Sequence, residues 1–159
     1  EYAIPPENIY NADEKGVQLG VRKSVAAIVD RNQKNVQQVE NGDREMVTII
    51  ESVCTDSTSL PPLVIFQGKR QVLEWGKDNP CVASISISEN SWTDRELGSL
   101  WLEKDFHPMS QKRNKSGGYW LLIVDGHNSH CTFKFCRIAE RHCIIVVCLP
   151  SHTTHTLQP

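Results

Sequence analysis

The sequence lacks any hydrophobic run near the roughly 20 residues of a membrane-spanning helix, and it has no signal-peptide pattern. We therefore expect neither a membrane span nor a membrane partner. It also lacks an excess of one charge, because 17 Lys and Arg residues face 19 Asp and Glu residues. A nucleic-acid partner would have to be held by a local basic patch or by a segment outside these residues.

The six cysteines include no Cys-x-x-Cys pair, the spacing typical of zinc modules and redox sites. Cys54 and Cys148 lie in apolar, strand-like runs, where a free cysteine behaves as a small hydrophobe. This usage indicates a reducing, intracellular compartment.

The length of 159 residues and the 39% hydrophobic content are those of one ordinary domain that can bury a core without disulfides. The chain starts at Glu1 rather than Met, and it ends at Pro159 without a helix end or a polar tail. We expect it to be a piece of a longer reading frame.

The most informative stretch is an apolar run from Trp120 to Val124 that stops at Asp125 and is followed by Gly126 and a polar cluster. An unbroken run of this length predicts a strand buried on both faces of an α/β sheet. A carboxylate where such a strand ends lies in the crevice where open α/β sheets bind ligands. Asp125 is therefore the first candidate site residue.

A second strand-like segment begins at Ile9 and brings Asp13 and Glu14, with Gly16 as its predicted end. Side chains alternate across a strand, so Asp13 and Glu14 cannot both face one site. The Asp-Glu-Lys-Gly sequence is also typical of a turn. This segment alone leaves both interpretations open.

Between these two segments the sequence predicts a hairpin and a helix. Residues 47–54 and 63–66 have the β-branched content of two antiparallel strands, and residues 85–88 suggest a short edge strand. Thr93 and Glu96 have capping-box spacing before a helix of about four turns that ends ahead of Pro108. A basic, flexible loop is expected over residues 111–118.

After Asp125, residues 132–142 predict a helix and residues 144–149 a second buried strand. This β-α-β unit should be parallel with a right-handed crossover. The order as a whole predicts an α/β fold with a mixed sheet, an antiparallel hairpin plus parallel strands, flanked by helices. If the strands of Asp13 and Asp125 are parallel neighbours, their carboxylates meet and favour a bound Mg²⁺.

Four segments carry a resemblance to a known family: NADEKG (residues 11–16), PPLVIFQGK (61–69), LLIVDGHNSH (121–130) and LPSHTTHTLQP (149–159). Together they resemble the DDE superfamily endonuclease domain of pogo/Tigger-type transposases. These belong to the Tc1/mariner group, and centromere protein B is a domesticated relative. The resemblance covers nearly the whole chain.

The resemblance implies a ribonuclease-H-like fold over residues 1–159, and Mg²⁺- or Mn²⁺-dependent cleavage and transfer of DNA strands. It places the first two catalytic, metal-binding acids at Asp13 and Asp125, with two ions in the complete domain. The third acid is expected beyond Pro159, and helix-turn-helix domains are expected upstream. By itself the polypeptide is then expected to be inactive or nearly so. DNA, a homodimer in a transposition complex and the nucleus are the implied partners and location.

Further residues are assigned supporting parts, each with an alternative. Glu14, His127 and His130 would support the acid pair, although local packing explains them as well. The candidates for DNA contact are Lys112, Arg113 and Lys115.

Two alternative functions stay open. The first is a domesticated, non-catalytic DNA-binding or scaffold protein of transposase origin. The second is a zinc module, whose potential ligands are His127, His130, Cys131, Cys136, His142 and Cys143.

Overall fold

The computed structural model describes residues 2–19, 45–70, 73–114, 117–125 and 132–149. The strands are β1 (Ile9–Leu19), β2 (Glu45–Cys54), β3 (Leu63–Gln67), β4 (Ser84–Ser88), β5 (Trp120–Asp125) and β6 (Ile144–Leu149). The helices are α1 (Arg95–Trp101), a π-helical segment (Leu102–Phe106), α2 (His107–Arg113) and α3 (Phe133–Arg141). Short 3₁₀ turns lie at Pro6–Asn8 and Leu73–Gly76.

The six strands form one mixed sheet in the order β4-β3-β2-β1-β5-β6. Strand β2 is antiparallel to both of its neighbours, and the other pairs are parallel. The hairpin, the parallel β-α-β unit and the edge position of residues 85–88 are therefore confirmed. All strands except β2 end at one side of the sheet, here called the carboxyl edge, which carries Asp125 and Leu149. The opposite side, where Trp120 and Ile144 begin, is the amino edge.

The helices pack on one face of the sheet, where Tyr10 of β1 and Leu122 of β5 meet Phe106 and Phe135 in the core. Burial alternates along β5, so that Leu122 and Val124 are buried and Leu121, Ile123 and Asp125 are half-buried. The prediction that β5 is buried on both faces holds for one face only, because Leu121 and Ile123 on the second face are half-buried. We call this second side, over β1, β5 and β6, the open face.

Strand β6 is also less buried than the sequence predicts. Among the described strands it lies at the edge of the sheet, with β5 as its one neighbour. Val147 and Cys148 are exposed, whereas Cys54 is buried in the central strand β2 as expected. An apolar run does not by itself distinguish an edge strand from a central one, because both need one buried face.

The predicted helix before Pro108 is displaced at both ends. Its cap is Asp94, not Thr93: Asp94 Oδ1 accepts the backbone N–H groups of Glu96 (2.9 Å) and Leu97 (2.8 Å). The helical path also continues through Pro108 to Arg113. The π-helical segment explains this, since the His107 N–H bonds to the Leu102 carbonyl, five residues back, and Pro108 falls at the start of α2. A proline there removes a donor that a helix start leaves unpaired.

Two stacked imidazoles lie at the amino edge. The rings of His107 and His142 have centroids 3.9 Å apart with 29° between their planes, and the Trp120 ring stands edge-on to His107. Burial, and then the nearby His142, hold the pKa of His107 below its ordinary value. Between the ordinary pKa of about 6.5 and the lower folded value, the unfolded chain binds more protons than the folded chain.

We therefore expect the free energy of unfolding to fall as the pH falls through this window and to level off above it. Urea unfolding at about pH 7.5 and about pH 5.5 measures the change, with the higher midpoint at the higher pH. The variant His107→Gln removes the titrating ring, and should show a smaller difference between the two pH values. The same difference in His107→Gln as in the unmodified chain would assign the pH dependence to other groups.

Candidate functional site

The neighbouring parallel strands β1 and β5 carry Asp13 and Asp125, respectively, towards the carboxyl edge. Their parallel register runs Ile9–Leu121, Tyr10–Leu122 and Asn11–Ile123. Asp13 and Asp125 each lie two residues beyond the last position at which these two strands pair. The preceding residues, Ala12 and Val124, are 1% and 0% exposed and face the core. Because side chains alternate, both carboxylates lie on the open face of the sheet.

Strand β1 does not end at Gly16. It runs on to Leu19, and its antiparallel pairing with β2 extends from Tyr10–Cys54 to Leu19–Glu45. The turn interpretation of Asp-Glu-Lys-Gly is wrong, because ten paired positions of β2 keep the segment extended. Pairing of β1 with β5, in contrast, stops at Asn11–Ile123. Asp13 therefore lies within a long strand, just past the point where β1 and β5 stop pairing.

Glu14 is separated from the acid pair. It lies on the same face as Ala12, is half-buried and is paired across the sheet with Ile50. The alternation argument from the sequence thus holds at this position. The opposite neighbour of Asp13 in β2 is Glu51, which is exposed.

Sequence reasoning missed Glu51, because its nearness to Asp13 depends on a hairpin register that no local motif encodes. Glu51, Asp13 and Asp125 follow one another across β2, β1 and β5, and this run of negative charge favours a cation nearby. Among the described residues, however, no three His, Cys, Asp or Glu side chains form a group that could hold a metal. An ion held by Asp13 and Asp125 would take its remaining ligands from water or phosphate oxygens.

Three assigned residues, His127, His130 and Lys115, lie outside the described residues, and their roles stay predictions. Cys131, one of the potential zinc ligands, lies outside them as well. Of the other potential zinc ligands, Cys136 is exposed on α3, whereas His142 and Cys143 follow the C-terminal end of that helix. Six residues of helix, about 9 Å of rise, separate Cys136 from His142. The described residues therefore do not assemble a zinc module.

Lys112 and Arg113 lie in the last turn of α2, not in the flexible loop that the sequence predicts. Arg113 Nη1 donates to the Ser59 carbonyl oxygen at 3.0 Å, and its Nη2 is 3.8 Å from Asp56 Oδ2. These partners follow the end of β2 at the amino edge. Any DNA contact by these two basic residues would thus be made at the edge opposite the acid pair.

Comparison with known proteins identifies the family. The model of the DDE superfamily endonucleases matches residues 43–159. The chain belongs to this family. The matched range contains Asp125 but begins after Asp13. The candidate role of Asp13 therefore depends on the register of β1 against β5 and not on the family match. The resemblance to a transposase-type DDE domain is confirmed.

Two relatives align over the whole chain. The protein named MFS-type transporter clz9 of Cochliobolus lunatus is 31% identical over 162 residues, and the Jerky protein of Mus musculus is 24% identical over 164 residues. The chain spans 17% of the first and 28% of the second. No helix in the part of this chain that the structure describes is long and apolar enough to cross a membrane.

Solved structures share the fold. The Mos1 transposase in a paired-end complex with the left transposon end matches 89% of this chain with a TM-score of 0.55 and 12% identity. The Mos1 mariner paired-end complex with Mn matches 88% with the same TM-score and identity. In both cases the chain covers 35% of the Mos1 chain. The ribonuclease-H-like fold expected from the sequence is therefore confirmed, with five parallel-running strands and one antiparallel strand, β2.

Proposed function

We propose that Asp13 and Asp125 hold a divalent cation, Mg²⁺ or Mn²⁺, in the core of a pogo/Tigger-type transposase or of a protein derived from one. The observation that supports this proposal is the parallel register of β1 against β5, whose last paired residues, Asn11 and Ile123, each lie two residues before one of the two acids. The activity proposed is cleavage and transfer of DNA strands. Two such ions, when bound, would supply polarisation of a phosphodiester and orientation of the attacking oxygen.

The donor set fits this choice of metal. Mg²⁺ and Mn²⁺ prefer oxygen ligands, and Mg²⁺ sites in proteins commonly use one or two carboxylates and complete the shell with water and substrate phosphates. Asp13 is exposed and Asp125 is half-buried, so a phosphate group can approach both from the solvent side. The two acids would hold the ion from the protein side and leave its other coordination positions to water and phosphate oxygens.

The likeness to Mos1 complexes with transposon ends supports DNA as the partner, and the complex with Mn supports a divalent ion. Two ions in the complete domain, the pogo/Tigger subgroup, a homodimer in a transposition complex and a nuclear location belong to the same proposal. So does the third acid expected beyond Pro159. A non-catalytic protein of transposase origin would keep this fold and lose the DNA cleavage.

Mn²⁺ affinity of the 159-residue chain, measured by electron paramagnetic resonance of the free ion, tests the proposal. We expect Asp13→Asn and Asp125→Asn each to weaken Mn²⁺ binding by at least about tenfold, because each removes one of two charged ligands. Glu14→Gln is the matched control, since it neutralises the next carboxylate of β1 on the opposite face, and it should leave the affinity unchanged.

Equal affinity in Asp125→Asn and Glu14→Gln would contradict the proposed ion site. Absence of Mn²⁺ binding in the unmodified chain would favour the non-catalytic alternative. Stoichiometric zinc that survives chelation and dialysis would favour a zinc module instead.

A further inference from the structure

An aromatic ring stands in solvent at the start of α3. Phe133 is 78% exposed, more than any other large hydrophobic residue in the described ranges. The helix does not need this ring, because its cap is Thr132, whose Oγ1 accepts the Phe135 N–H at 3.1 Å. Its packing on the core comes from the next positions along the helix, Phe135, Ile138 and Ala139, which are buried.

A cation lies against this ring. The guanidinium carbon of Arg137, one helical turn further on, is 5.8 Å from the centroid of Phe133, within the range of a cation–π contact. No described carboxylate lies within salt-bridge distance of Arg137. Lys134 is paired with Glu96 of α1. Phe133 and Arg137 thus form an exposed aromatic–cationic pair at the start of α3, here called the α3 platform.

The α3 platform lies at the same edge of the sheet as the acid pair. Helix α3 follows Asp125 and leads back to β6, which is parallel to β5. In such a β-α-β unit the helix starts at the carboxyl edge and ends at the amino edge. Tyr2 and Tyr119 form an exposed pair of aromatic rings, with centroids 4.7 Å apart. Tyr119 lies directly before β5, at the amino edge.

We propose that the α3 platform binds an unpaired base of single-stranded DNA by stacking on Phe133, with Arg137 contacting the strand's phosphates. This inference rests on the proposed function, because it adds a site for the DNA strand beside the metal-binding acids. Every base has a π face, so an exposed ring binds single strands with little sequence preference. In duplex DNA the base faces are already stacked, and the platform therefore selects an opened or frayed segment.

The chemistry of the pair favours a nucleic acid over an apolar protein surface. An apolar partner covering Phe133 would also bury the Arg137 guanidinium without a counter-charge, which is costly. A nucleotide supplies both an aromatic face and an anionic phosphate, so it satisfies the ring and the cation together.

A single-stranded oligonucleotide carrying 2-aminopurine tests the proposal in EDTA, where the metal site is not involved. Stacking on Phe133 quenches the 2-aminopurine fluorescence, and anisotropy gives the affinity. We expect Phe133→Ala to weaken binding about tenfold and to remove the quenching, whereas Phe133→Trp retains both. Tyr119→Ala is the matched control, an exposed aromatic at the amino edge, and should bind like the unmodified chain.

The contribution of Arg137 is tested with a second matched pair of variants. Arg137→Gln should weaken binding and lower the salt dependence by about one phosphate contact. Arg141 lies at the far end of α3, with its Nη1 3.7 Å from Glu103 Oε1. Arg141→Gln should change neither the affinity nor the salt dependence.

Equal affinity and quenching in Phe133→Ala and Tyr119→Ala would overturn the α3 platform. So would loss of self-association in Phe133→Ala without any change in oligonucleotide binding, because the ring would then cover a protein surface. These outcomes are independent of Mn²⁺ affinity. If the unmodified chain binds Mn²⁺ but does not quench 2-aminopurine, the platform alone is removed. If the unmodified chain quenches 2-aminopurine but does not bind Mn²⁺, the metal proposal alone is removed.

Discussion

Asp125→Asn is expected to abolish Mg²⁺- or Mn²⁺-dependent nicking of supercoiled DNA by a polypeptide that joins this chain to the third acid expected beyond Pro159. The amide keeps the shape of the carboxyl group and removes its charge. One of the two proposed ion ligands is then lost. We expect at least about a 100-fold fall in nicking rate, comparable to removing one charge-stabilising group from an active site.

The matched control for this substitution is Asp78→Asn. Asp78 is an exposed aspartate in a loop with φ of 51°, a conformation that asparagine adopts readily, so the variant keeps its fold and its rate. Nicking by Asp125→Asn at the rate of Asp78→Asn would remove Asp125 from the reaction. Nicking absent from the unmodified, extended polypeptide, with Mn²⁺ still bound, would point to a domesticated protein that retains the ion site.

The fold was largely predictable because its signals are local. The apolar run of β5, the helical spacing of Phe135 and Ile138, and the β-branched content of β2 each depend on neighbours in the chain. What failed were the boundaries of elements and the predicted burial of β5 and β6. Thr93 and Asp94 are both good caps in sequence, and the structure has the cap at Asp94. A proline ends most helices, but the π-helical segment ahead of Pro108 lets this helical path continue.

The candidate site was predictable only in part, since it depends on contacts between distant segments. Asp125 is recognisable by itself as an acid after a buried strand. Asp13 looked like part of a turn, and its place on the strand beside that of Asp125 follows from a register between segments more than 100 residues apart. Glu51 gave no signal at all, because it approaches Asp13 only through the β1–β2 pairing. The exposure of Phe133 likewise required the structure, since the helical pattern of α3 does not distinguish an exposed first residue from a buried one.

The site also depends on how firmly β1 is held against the helices. Phe106 is 1% exposed, and its ring packs edge-on against Tyr10 of β1, with centroids 5.3 Å apart. It also contacts Trp101, with centroids 5.5 Å apart. These rings connect the π-helical segment to the strand that carries Asp13. Phe106→Ala leaves a cavity at this junction and is expected to lower the free energy of unfolding by about 3–5 kcal/mol.

The matched control is the same substitution at a solvated ring. Phe133→Ala should change the free energy of unfolding by no more than about 0.5 kcal/mol, because the ring is 78% exposed and makes no core contact. Urea unfolding followed by circular dichroism gives both values. Since domains of this size are stable by only about 5–15 kcal/mol, Phe106→Ala can lie near the limit of folding. Phe106→Leu, a smaller truncation, then provides the measurable curve.

Loosening of β1 should also be visible at the acid pair. In Phe106→Leu the fold is kept while the Tyr10 contact is reduced, so Mn²⁺ affinity at Asp13 and Asp125 should fall together with stability. In Phe133→Ala both quantities should stay unchanged. Equal stability losses at the two phenylalanines would contradict the packing described here. A stability loss in Phe106→Leu with full Mn²⁺ affinity would show that β2, through its ten paired positions, is sufficient to hold Asp13 in place.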